Sequence, residues 1–358
     1  MNALLTQLLD RIARDGPISV ADYMAECLLD PRHGYYATRD PFGAGGDFTT
    51  APEISQMFGE LLGLSLAQSW LDQGRPAPFV LAEPGPGRGT LMADVLRAAA
   101  GVPGFHDAAR LHLIEASATL REVQRKTLAG HRVSWHNQFA DLAEMPLFLV
   151  ANEFFDALPI RQFLRTGAGW RERRIGVRDG ALSFGAGDAG PVAGLEHRLG
   201  DTREGDLVEL CAPATAITAE IARRIAAHGG AAILVDYGGW RSLGDTLQAL
   251  KAHAPVDVLA APGHTDLTAH VDFDALSRAA REAAAGISVT AMTHQGVLLE
   301  RLGITARAQR LAQNMQGAAL ESHIAAHRRL THPEEMGTLF KAIALHPEGA
   351  PPPPGFDP

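Results

Sequence analysis

At 358 residues the chain can bury a large core, in one big domain or two modest ones, and its 46% hydrophobic and 20% charged composition is that of a soluble globular protein. A net charge of −9 disfavours a nucleic-acid groove as the dominant surface. Two cysteines, Cys27 and Cys211, stand outside any CxxC spacing, which argues against a disulfide scaffold or a cysteine zinc site and for a reducing compartment.

The opening stretch MNALLTQLLDRIARDGPIS carries Asp10 and Asp15 and no apolar core before a cleavage site. It predicts a short amphipathic helix stopped at Gly16-Pro17, not a signal peptide. No apolar run reaches the roughly 18 residues of a membrane span. A cytoplasmic, bacterial protein is the expectation. ISVADYMAECLLD predicts a helix capped by Ser19, and DPRHGYYATRDPFGAGGDF a long loop. Thr50-Ala51-Pro52-Glu53 has the form of a capping box, in which the hydroxyl accepts from first-turn amides and the glutamate reaches back. Ile54, Met57, Phe58, Leu61 and Leu62 then share one apolar helix face. GRPAPF, at 74–79, marks the end of an N-terminal helical region over 1–75.

From 76 to 347 strands and helices alternate. FVLAEPG (79–85), LHLIEAS (111–117), RVSWH and LFLVANEFF (147–155) read as strands, with TLMADVLRAAA and ATLREVQRKTL as helices between them. Such alternation predicts an α/β fold built on a parallel, doubly wound sheet. An insertion at about 161–204 contains a hairpin turning at Asp179-Gly180. AAILVDYG (231–238) resumes the buried-strand pattern. ISVTAMTH (287–294) and LFKAIAL (339–345) are the last expected strands, with inserted helical elements at about 295–335. Residues 348–358, containing APPPPGFDP, predict a disordered tail.

The strongest local signal is FVLAEPGPGRGTLMADVL: a strand, Glu83, then Gly85, Gly87 and Gly89, then a helix. Glycines let backbone turn sharply against a ligand, and the new helix offers free amides. The spacing E-x-G-x-G-x-G is not the dinucleotide fingerprint, and an acid at the strand tip would repel a pyrophosphate. It suits a cationic or zwitterionic ligand such as S-adenosylmethionine (SAM), which carries an α-amine and a sulfonium. Glu115, ending the second strand, is placed to accept both ribose hydroxyls. Asn137 or Gln138, just past the third, could meet the adenine edge. The fourth strand ends VANEFFDALPIRQF, so Asn152, Glu153 and Asp156 project toward a methyl acceptor. Two carboxylates there suit a guanidinium, which stays protonated, and can orient one nitrogen and take its proton. Asp236 ends the fifth strand and could line the same cleft. His264, Asp266, His270 and Asp272 are metal-ligand types, but no metal is expected: Asp272 or Asp274 reads as a helix cap and the segment as a loop on the pocket rim.

With these residues in place the chain closely resembles the MidA-like family of SAM-dependent methyltransferases, which includes the mitochondrial arginine methyltransferase that assists respiratory complex I assembly. The likeness rests on YMAECLLDPRHGYY, DPFGAGGDFTTAPEISQMFGE, EPGPGRGTLMADVLR, ANEFFDALPIRQF, LVDYG, DLTAHVDF and MGTLFKAIAL. It implies a class I methyltransferase fold with extra helical elements, Gly85, Gly87 and Gly89 in the SAM loop, and Glu115 at the ribose. It also implies protein arginine N-methylation, with a complex I subunit or a similar protein as acceptor. Small-molecule or RNA methylation, or a SAM-binding assembly chaperone without turnover, are the alternatives. The acidic balance and the Glu153–Asp156 pair weigh against RNA. The glycine-rich loop before the first core helix carries Asp47, Thr49, Thr50 and Glu53 and is expected to act as a lid over cofactor or target.

Overall fold

The structure, a computed structural model, describes residues 2–38, 49–167, 169–251 and 254–357. Four strands, β1 (Phe79–Pro84), β2 (Ala109–Ile114), β3 (Val133–His136) and β4 (Leu147–Asn152), lie where the alternation placed them. The inserted strands β5 (Arg161–Thr166), β6 (Gly169–Arg178), β7 (Ala181–Gly190) and β8 (Leu207–Leu210) form a separate antiparallel sheet. The main sheet then resumes with β9 (Gly230–Gly239) and β10 (Phe340–Pro347).

Along the main sheet the order is β3-β2-β1-β4-β9-β10, with Ile287–Val289 beyond β10. The first five strands are parallel, and β10 runs antiparallel to β9. This is the doubly wound sheet expected from the alternation. The chain moves outward in opposite directions from β1 and β4, so a crevice opens at their carboxyl ends, where such folds bind ligands. β1 and β4 are buried at every residue, as parallel strands covered on both faces must be.

Helices α1 (Ala3–Asp15) and α2 (Val20–Leu29) precede α3 (Gln56–Asp72), α4 (Thr90–Ala99), α5 (Ala118–Thr127), α6 (Ala212–His228) and α7 (Phe273–Ala283). α3 and α4 cover one face of the sheet, with Phe58, Leu62 and Val95 against Leu81, Phe148 and Ile233. Gly63 permits a close crossing: a Cβ there would lie 2.7 Å from the Val95 Cα. α6 and α7 cover the other face, with Ile221, Ile225 and Leu276 against Val80, Leu149 and Leu234. α1 and α2 belong to a different core. Leu4, Leu8, Tyr23 and Met24 pack with Ile160, Ile175 and Leu267, and Ile18–Ser19 pairs with β6. The helical region expected over 1–75 is therefore shared between two cores.

Several local expectations hold. Ser19 closes a capping box with Asp22, and the hairpin turns at Asp179 (φ 52°) and Gly180 (φ 78°), the positive φ pair of a type I′ turn. Others are corrected. The Thr50 hydroxyl makes no cap; Ala51–Ile54 is a single helical turn ended by extended Ser55, whose own hydroxyl accepts from the Met57 amide to start α3. Glu53 turns away and accepts from the Thr90 hydroxyl at 2.6 Å. The strand expected over 287–294 is split. Thr290 interrupts it, its amide donating to the Ala344 carbonyl (3.0 Å) and its hydroxyl accepting from the Ala344 amide (2.9 Å). Residues 348–357 are ordered, not disordered. Phe356 is buried in the main core, the Ser65 hydroxyl donates to the Pro354 carbonyl, and Asp357 pairs with Arg301.

Candidate active site

Three segments distant in sequence meet at the crevice: 50–53, 83–91 and 152–153. They enclose a cavity of about 50 Å³ lined by Thr50, Glu53, Glu83, Gly87, Asn152 and Glu153, among others. Gly85 (φ 58°), Gly87 (φ 52°) and Gly89 (φ 82°) all adopt the left-handed conformation that side-chain-bearing residues avoid. A Cβ on Gly85 would also sit 2.9 Å from the Phe154 ring. Gly89 caps α4 without a side chain, so no cap side chain competes for the first-turn amides. Glu83 is 3% exposed and one of its carboxylate oxygens is buried with no partner. Burial raises its pKa to about 8, because the charged form is poorly solvated there.

At the end of the second strand, Glu115 accepts from the Ser117 amide (2.7 Å) through one oxygen and from Gln124 Nε2 (3.1 Å) through the other. Burial raises its pKa, opposed by those hydrogen bonds. Gln124 is absent from the sequence-derived site. Its Nε2 also donates to the Gly87 carbonyl at 2.8 Å, and its Oε1 accepts from the Trp135 indole at 2.8 Å, so it ties the glycine loop to Glu115 and β3. The signal was present: Gln124 is a polar residue between Leu120 and Leu128 on the buried stripe of α5. Asn137 and Gln138 lie past β3, both exposed; Arg121 donates to the Asn137 side chain, and Gln138 donates to Asp141. Neither lines the small cavity.

Past β4, Asn152 donates to Glu153 Oε1 at 2.9 Å, and the Ala51 amide donates to the same oxygen at 3.0 Å. The 50–53 segment is thereby joined to the strand end. Glu153 holds a left-handed backbone (φ 50°) unusual for a residue with a side chain, which explains why the strand stops at Asn152. Burial raises its pKa. Asp156 is 6% exposed, with its Oδ1 buried and unpartnered. Burial, and then the charges of Asp236, Glu153 and Asp266, hold its pKa well above the usual carboxylate value. Asp236 is buried too and pushed up to about 8, by burial first and then by Glu153. Asp266 accepts from the Tyr36 hydroxyl at 3.1 Å. Asp266 thus joins a cluster of carboxylates around Asp156, and Asp272 caps α7 through the Ala275 amide. Asp47 lies outside the described residues.

The site fits a SAM-like ligand. The orphaned oxygen of Glu83 awaits a donor, and the three glycines leave a cradle against a bare helix start. On the acceptor side, buried Asp156, Asp236 and Asp266 and half-buried Glu153 disfavour one another's ionisation, which a cation beside them would relieve.

Comparison with known proteins agrees. A family model for S-adenosyl-L-methionine-dependent methyltransferases matches residues 61–292. The mitochondrial protein arginine methyltransferase NDUFAF7 of Danio rerio is 36% identical, over 96% of this chain and 86% of its own. Its Homo sapiens counterpart is 36% identical, over 96% and 83%. A crystal structure of a Burkholderia thailandensis superfamily protein bound to S-adenosyl-homocysteine superposes with a TM-score of 0.80 at 31% identity, covering 99% of this chain and 93% of that one. The native crystal structure of a superfamily protein from the same organism gives 0.79 at 30%, covering 98% and 92%. The architecture is that of a class I methyltransferase.

Proposed function

This chain belongs to the family of S-adenosyl-L-methionine-dependent methyltransferases, and from that premise we propose that it methylates an arginine side chain of a protein acceptor. The observation that carries the reading is the cluster of carboxylates at the ends of β4 and β9, beside the glycine loop, with Asp156 Oδ1 unpartnered. A guanidinium supplies the donors and the positive charge that would let such a cluster ionise. The names of the curated relatives point to the same acceptor, and the family resemblance extends it to a subunit of respiratory complex I.

SAM, when bound, supplies an electrophilic methyl group on a sulfonium. Gly85, Gly87 and Gly89 would admit its methionine end, Glu83 would hold the α-amine, Glu115 the ribose hydroxyls, and Asn137 or Gln138 the adenine edge. Glu153 and Asp156 would grip the guanidinium fork and orient one nitrogen, with Asn152 fixing the Glu153 carboxylate. A carboxylate there takes up the proton that nitrogen sheds as it gains the methyl. Thr49, Thr50 and Glu53 would close over the site, coupled to Glu153 through the Ala51 amide.

The test is incubation with methyl-labelled SAM and cell extract, followed by mass spectrometry of the labelled product. Label on an arginine of a protein supports the reading. Label on RNA or a small molecule, or SAM binding without any transfer, overturns it.

A further inference from the structure

Asp236 makes hydrogen bonds that a cleft-lining carboxylate would not. Its Oδ2 accepts from three consecutive backbone amides, those of Phe154 (3.2 Å), Phe155 (2.9 Å) and Asp156 (3.3 Å). Its Oδ1 accepts from the amide of Tyr237 at 2.9 Å. Asp236 is 1% exposed, and both of its oxygens are thus engaged by backbone. Successive amides converging on one oxygen form a backbone nest, and here the acceptor oxygen is built into the protein.

The turn so held carries the acceptor side of the site. It opens at Glu153, whose left-handed backbone a free chain would rarely adopt, and whose amide donates to the Val235 carbonyl at 3.1 Å. It presents Asp156, whose carbonyl accepts from the Ala269 amide at 2.9 Å. Between them it sets the Phe154 ring against Gly85 of the glycine loop. One side chain at the tip of β9 therefore fixes the spacing between the glycine loop and the two carboxylates at the end of β4.

We propose that Asp236 is a positioning residue for methyl transfer, acting through the 153–156 turn and not by touching the acceptor. The proposal rests on the arginine reading for what the turn presents, but the geometry it invokes exists in the ligand-free protein. An oxygen acceptor at this position, more than a negative charge, is what the turn requires. Asn retains an acceptor oxygen, Ser can reach fewer amides, and Ala reaches none.

Amide hydrogen exchange of Phe154, Phe155 and Asp156 in the ligand-free protein tests this directly. It is read beside SAM affinity and the kcat and KM of transfer, for wild type, Asp236→Asn, Asp236→Ser and Asp236→Ala. Protection should fall in that order, with kcat falling in step to about 10²-fold in the Ala variant, the scale of a misplaced reacting group. SAM affinity should change far less than kcat. If Asp236→Ala does not fold, the ordering of wild type, Asn and Ser decides. Unchanged protection in folded Asp236→Ser and Asp236→Ala overturns the proposal. So does an equal loss of transfer in Asn and Ala while Asn keeps its protection, because that pattern assigns the role to charge. If the labelled acceptor proves not to be arginine, the functional reading fails while the exchange result still decides the role of Asp236.

Discussion

Glu83 combines deep burial with an oxygen that has no partner. Its pKa is raised from 4.5 to about 8, so between those values the folded protein keeps a proton that the unfolded chain releases. Stability from this group is present below the lower value and is lost as pH rises through the upper one. Thermal melts of ligand-free protein should therefore show Glu83→Gln gaining on wild type as pH rises from about 5 to about 9. A gap that stays constant across that range would mean Glu83 is not held neutral. A cationic ligand should instead draw the proton off, so the same variant should bind SAM more weakly by calorimetry. Gly87→Val should abolish SAM binding, because φ 52° is closed to a β-branched residue and its side chain would fill the cradle. Unchanged affinity in a folded Gly87→Val protein would remove the loop from the site. Glu83, the glycines and Asn152–Glu153 were legible in the sequence because they break apolar strands at their carboxyl ends, where packing favours neither an acid nor a run of glycines. Asp266 was noticed only as a metal-ligand type. Its tie to Tyr36 spans most of the chain, and no local pattern encodes such a contact.

At the scale of elements, each strand of the parallel sheet was visible in the alternation with helices, and the Asp179-Gly180 hairpin as its turn dipeptide. What escaped were choices between competing local partners. Thr50 and Glu53 match a capping box by spacing, but Glu53 finds the Thr90 hydroxyl instead, and Ser55 caps α3. Thr290 breaks a strand whose composition favoured continuity. Gln124 occupies a buried stripe because its amide has three partners waiting. Gln124→Leu should keep the helix yet weaken SAM binding by about 1.5–3 kcal/mol, the scale of hydrogen bonds to a charged group, by freeing both Glu115 and the Gly87 loop. Unaltered SAM affinity in that variant would show that the tie is structural only. The tail is a reminder that proline-rich composition does not decide order when one aromatic finds a core. Phe356→Ala should cost about 3 kcal/mol, toward the lower end for a buried phenylalanine because the segment is terminal. A denaturation midpoint equal to wild type would place residue 356 outside the cooperative core.

Over the whole molecule, two layers of helices on a doubly wound sheet set Glu83, Glu153, Asp156 and Asp236 around one crevice, and the helix Tyr35–Thr38 and the strand Asp266–Thr268, packed in the core of α1 and α2, bring in Tyr36 and Asp266. The cost of clustering carboxylates is accepted where an incoming cation is to be held. The central claim is that Glu153 and Asp156 receive a guanidinium and its departing proton. It is tested most directly by the rate of methyl transfer in Glu153→Gln, which keeps size and hydrogen bonding and loses the charge, with SAM affinity and melting temperature measured alongside. The account predicts a loss of about 10²-fold or more in turnover with SAM binding intact, the usual scale for general-base and positioning groups. Full turnover by a folded Glu153→Gln protein would contradict it and point to a neutral acceptor.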